Sequence, residues 1–147
     1  MFYKKYLVLV VIMLIGVMGL NGCKNKETEA REGIKQLTEV EVPSEAKILY
    51  HSVNSNFVNG RHSQYSVFEF KEEPIDFLSI NNFNDGNDTV IENYFEYYIK
   101  TLHIRYEDVP VEYHVNFILD YLWIRERNVY FFYYPNDFIL IVFIPGL

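Results

Sequence analysis

Residues 7–20 hold only apolar side chains and two glycines, follow Lys4 and Lys5, and end three positions before the chain's single cysteine, Cys23. A helix needs about 20 apolar residues to cross a hydrocarbon core of about 30 Å, so this 14-residue run is short for a permanent span. A basic start followed by an apolar run of this length has the shape of a signal peptide. Residues 1–22 are therefore expected to be removed after export, leaving a chain that begins at Cys23.

Leu20, Gly22 and Cys23 stand in the spacing of the bacterial lipobox, which this stretch resembles. The resemblance implies diacylglyceryl transfer to the Cys23 thiol and cleavage just ahead of it. The chemistry suits the residues: a thiolate is a strong nucleophile at an accessible pKa, and a small residue at 22 lets the backbone enter the peptidase. Two acyl chains, at about 0.8 kcal/mol per buried methylene, suffice for stable anchoring where one does not. The expected location is the extracytoplasmic surface of a membrane, with lipidated Cys23 as the attachment.

The precursor carries 13 basic and 20 acidic residues, and the leader takes away two lysines and no acid, leaving a formal charge of −9 over residues 23–147. That balance argues against nucleic acid as a partner and against adhesion to anionic lipid through a basic patch. With Cys23 modified no thiol remains, so neither a disulfide within the chain nor thiolate catalysis is available. Packing must hold the fold, and 13 tyrosines with 12 phenylalanines supply the apolar area for it.

The polar composition of residues 24–42, about half of them charged, predicts a tether reaching at most about 60 Å, shortened if residues 30–37 turn helical. Pro43 and Ser44 punctuate the start of a single small globular domain over 43–147. Alternation over 46–53 predicts a first strand, with Ala46, Ile48 and Tyr50 on one face. Residues 65–70 read as a second strand in a hairpin, and Pro74 suits the first turn of a short helix through Leu78. Thr89 with Glu92 forms a capping box ahead of a helix over about 90–103, whose apolar face is Ile91, Tyr94, Phe95, Tyr98 and Leu102. Pro110 interrupts, 111–119 reads mostly as extended coil, and residues 121–125, 129–133 and 138–144 predict a three-stranded meander. The last of these is almost wholly apolar, as a central strand requires. The fold class expected is α+β: an antiparallel sheet of about five strands with one main amphipathic helix packed on it.

Motifs that carry chemistry are sparse. Asn81, Asp85, Gly86 and Glu92 fit four positions of an EF-hand loop, but Phe83 and Asp88 break the template where a ligand and an apolar side chain belong. His51, His62, His103 and His114 lack the spacing that puts two imidazoles on one helical turn, so no metal and no other cofactor is expected. Ser52 and Ser63 lie near His51 and His62 in sequence alone. The acid pairs Glu72 with Glu73 and Asp85 with Asp88 fall on expected loops and read as solvated charge, while Trp123 reads as core. No catalytic residue is assigned. The arrangement over the last 30 residues, 121–123 followed by charged residues and a Tyr134-Pro135-Asn136 turn, looks like that of small uncharacterised bacterial lipoproteins.

Two function classes follow. The first is a non-catalytic, membrane-anchored module that meets another envelope protein, with the edge of the 46–53 strand as its docking place. The second is a binder or hydrolase of cell-wall glycan that stacks sugars on surface tyrosines beside two facing carboxylates.

Overall fold

A computed structural model describes residues 25–54, 62–86, 88–101 and 106–146. Leu20, Gly22 and Cys23 lie outside them. The architecture is α+β, and its sheet has six antiparallel strands rather than five. In chain order the elements are α1 (Lys26–Leu37), β1 (Lys47–Asn54), β2 (Ser63–Glu69), α2 (Ile75–Ile80), β3 (Asn84–Asp85), α3 (Thr89–Thr101), β4 (Leu122–Glu126), β5 (Val129–Tyr134) and β6 (Ile139–Ile144). The spatial order is β1-β2-β6-β5-β4-β3. The strand missing from the sequence reading is β3, two residues long, too short to show any alternation.

The period of two sorts β5 and β6 onto two faces. Phe131, Tyr133, Leu140 and Val142 pack on one side, and Tyr130, Phe132, Ile141 and Phe143 on the other. β6 is central, paired with β2 and β5 at its edges, and a core cluster covers each of its faces, which accounts for its unbroken apolar sequence.

Covering the first face is a helix in the segment expected to be a tether. Ala30 and Ile34 of α1 are fully buried, and Val40, Val42 and Ala46 continue the contact. Composition concealed this. Four-residue spacing puts Ala30 and Ile34 on one stripe, and the alternation Glu39-Val40-Glu41-Val42 turns two valines inward and two glutamates outward. Asn25 caps α1, its side chain accepting from the Glu27 amide at 3.3 Å. Arg31 donates to the carbonyls of Val42, Pro43 and Ala46, tying the segment down. Gly33 is needed where α1 crosses β2, since a Cβ there would lie 2.4 Å from Gln64 Oε1. The folded body thus begins near residue 25 instead of 43.

The second face is covered by α3 and the irregular chain after it. The helix cap sits one residue earlier than expected: Asp88 Oδ1 accepts from the amides of Val90 and Ile91 at 2.9 and 3.3 Å. Glu92 is no part of a capping box and instead accepts from the Tyr121 hydroxyl at 2.7 Å. Ile91 and Phe95 are buried and Tyr98 partly so, whereas Tyr94 is exposed, 5.4 Å under the Arg125 guanidinium. Leu102 lies outside the described residues. Residues 106–121 form two short 3-10 turns and coil, with Tyr106, Tyr113 and Phe117 set against the sheet.

Candidate functional site

The first strand forms one edge of the sheet, as its proposed docking role requires, but a bulge between Ile48 and Tyr50 interrupts its ladder. The extra residue sends Tyr50 to the face opposite Ile48, and bulges of this kind blunt an edge against further pairing. A better candidate lies elsewhere, in two acidic segments that sequence reading had treated separately.

Residues 39–45, leading from α1 to β1, form one wall of a groove of about 750 Å3. Residues 71–76 and the outer side of α2 form the other, and Phe70 and Phe77 underlie it. Each wall is held by ordinary local chemistry. Arg31 pins the carbonyls of the first, and in the second Leu78 N donates to Pro74 O at 3.0 Å to open α2. Asn81 closes that helix through its side-chain amide, which donates to Phe77 O at 2.7 Å. Asn82 follows at φ 52°, a left-handed conformation asparagine tolerates.

The walls carry Glu39, Glu41, Glu45, Glu72, Glu73 and Asp76 against a single ammonium, Lys71. Glu41 meets Lys35 at 2.9 Å and Glu39 meets Arg127 at 3.6 Å. Glu45, Glu72, Glu73 and Asp76 have no ion-pair partner among the described residues. Among the acids stand Ile75 and Ile80, 66% and 76% exposed, both lining the same groove from one six-residue helix. Beneath, the Tyr133 ring meets Phe70 edge-on at 6.2 Å, and its fully buried hydroxyl has no hydrogen-bond partner among the described residues. Burial first and the Glu73 carboxylate second push that phenol up to about 12.

A second hollow of about 680 Å3 shares Glu39, Ile80 and Asn81 with the first and runs on past Asn82, Asn84 and Trp123. The two adjoin at these residues and make up a trough, with Ile80 between its parts. Trp123 is half-buried rather than core, with Nε1 donating to Asp85 O at 3.0 Å.

The other singled-out residues are placed apart. Glu92, the last EF-hand position, is bonded to Tyr121, while Asn81 caps α2. At Gly86 a Cβ would lie 2.6 Å from Tyr121 O, so the glycine serves close packing. His114 Nε2 donates to Val109 O at 2.8 Å, and the ring stacks on Tyr106; His62 is exposed, and His103 is outside the described residues. Among the described residues no three His, Cys, Asp or Glu side chains stand close enough to hold a metal ion.

His51 is a titratable group whose shift on folding falls near neutral pH. Its Nδ1 is 3.0 Å from Ser66 Oγ, and its Nε2 lies 4.0 Å from Glu29 Oε2 on α1. Burial lowers its pKa, against the pull of Glu29 and with a smaller push from Lys26. The folded state then binds fewer protons than the unfolded one, so this group's contribution is complete above about pH 6.5 and is lost as pH falls below it. Urea midpoints should drop on acidification from about pH 7 more steeply in the native chain than in His51→Gln. Parallel slopes would remove His51 from this role.

No family model, curated protein or solved structure matches the chain.

Proposed function

We propose that this protein is a non-catalytic interaction module of the cell envelope, anchored in the membrane through lipidated Cys23 on the extracytoplasmic side and docking another envelope protein in the acid-walled trough. The observation that carries the reading is the pair of exposed isoleucines set between unpaired carboxylates. Apolar side chains flanked by charge on an open surface suit a polypeptide. No described helix is long and apolar enough to cross a membrane. Attachment through the lipid rests on the Leu20, Gly22 and Cys23 spacing.

The glycan alternative asks for exposed rings beside facing carboxylates. Phe70 and Phe77 in the trough are buried, Trp123 there is half-buried with its indole N–H committed to Asp85 O, and the exposed tyrosines, Tyr94 and Tyr97, belong to α3, which packs on the other face of the sheet. That weighs for protein over sugar.

A photo-cross-linking residue at position 80, carried in cells by the native chain and by its Cys23→Ala variant, tests both halves of the reading. The native chain should sediment with membranes and capture one discrete envelope protein, while Cys23→Ala should be released, still folded, and lose the capture. Retention of Cys23→Ala in the pellet would refute the lipid anchor, and capture of glycan alone from position 80 would refute the docking role.

A further inference from the structure

The chemistry of the trough narrows its occupant. Taking the docking reading above as its premise, we infer that the partner segment is cationic and amphipathic: an exposed stretch of polypeptide with several lysines or arginines spaced around one or two aliphatic side chains.

Three observations converge on this. The acidic groove of the trough bears six carboxylates and one lysine, the adjoining hollow adds Glu126 and Arg125, and four of the groove's acids, Glu45, Glu72, Glu73 and Asp76, have no ion-pair partner among the described residues. Like charges gathered at this density repel one another, and opposite charges on a partner relieve that repulsion while steering its approach. A point cation does not satisfy the arrangement, because no three acids among the described residues stand close enough to share a metal ion. The charge is instead spread along the walls, and a complementary ligand carries its positive charges on a chain. Finally, Ile75 and Ile80 lie one and a half helical turns apart on a helix of six residues, both largely exposed, which gives the partner's aliphatic side chains something to cover. An anionic lipid surface or a nucleic acid would meet the same carboxylates with repulsion.

The two hollows share Glu39, Ile80 and Asn81, so a segment lying across both passes from the acids to a less acidic shelf of Asn82, Asn84 and Trp123, where Glu126 is matched by Arg125. Backbone amides and carbonyls of the partner would find side-chain amides there, while its cations stay at the acidic end. Directionality follows: the basic end of the segment lies toward Glu72 and Glu73.

The test uses residues 24–147, which include the whole described body, and three fluorescent dodecapeptides. One has lysines spaced among leucines, the second has glutamate for each lysine, and the third keeps the lysines but has serine for each leucine. The lysine-leucine peptide should bind, and raising salt from about 50 to about 500 mM should weaken it severalfold as the charges are screened. The triple variant Glu72→Gln, Glu73→Gln, Asp76→Asn should weaken it about tenfold, from three exposed pairs of a few tenths to one kcal/mol each. Neutralising Glu96, Glu107 and Glu112 instead should leave it unchanged, and the glutamate and serine peptides should bind at least tenfold more weakly. Equal binding of the lysine and glutamate peptides, or equal loss in the two triple variants, would overturn the inference. If no basic peptide binds while position 80 still captures a protein in cells, the charge assignment falls and the docking reading stands. If capture fails as well, both fall.

Discussion

Expressed without residues 24–42, the chain is expected to have no cooperative unfolding transition at all. Ile34, Val40 and Val42 are buried, and burying each contributes about 1.5–3 kcal/mol relative to leaving it in water. Their joint removal approaches the whole stability of an ordinary domain, about 5–15 kcal/mol. It also uncovers one face of the sheet, where Phe68, Leu140 and Val142 are fully buried in the same cluster. Far-UV circular dichroism and urea titration of residues 43–147 beside residues 24–147 decide the matter. A sharp transition in the shorter chain, near the midpoint of the longer one, would make the segment a tether after all.

The opposite face has its own critical residue. Phe95→Ala should cost about 3–5 kcal/mol, the range for removing a buried phenylalanine ring. Phe95 meets Phe132, Phe143, Phe117 and Tyr106 edge-on, with ring centroids 5.2, 5.4, 5.7 and 6.3 Å away. Such pairs add about 0.5–1.5 kcal/mol each beyond the area they bury. Two of the four rings belong to the coil at 106–121, which has little regular hydrogen bonding to hold it, so the variant should loosen that segment as well. Urea midpoints read the first effect and amide hydrogen exchange across 106–121 the second. A loss below about 1 kcal/mol would mean that α3 is not the anchor of this face.

How legible these features were in the sequence depended on what each one required. The meander at 121–144, the β1–β2 hairpin and α3 are written in local periodicity, because each buries a face whose spacing is its own. The strand β3 has only two residues and exists because β4 offers Leu122 and Trp123 to pair with. The cap moved from Thr89 to Asp88 because both can accept backbone amides and the packing of Glu92 on Tyr121 settles which does. The segment 24–42 misled for a different reason: its charges are real and face solvent, and four small apolar residues among them carry the fold. Alternation at 39–42 was the available signal. The trough was invisible for want of any local pattern, since its walls are separated by β1 and β2 and meet only once the sheet forms.

The burial of α1 also sets how far a partner may be from the bilayer. A free segment of nineteen residues would let the body sweep a hemisphere many nanometres across. With Asn25 capping α1, the proposed attachment at Cys23 is separated from the cap by Lys24 alone, a reach of at most about 10 Å. Under that proposal the body is moored like a float on a short line, and a partner that docks with it meets it close to the membrane surface.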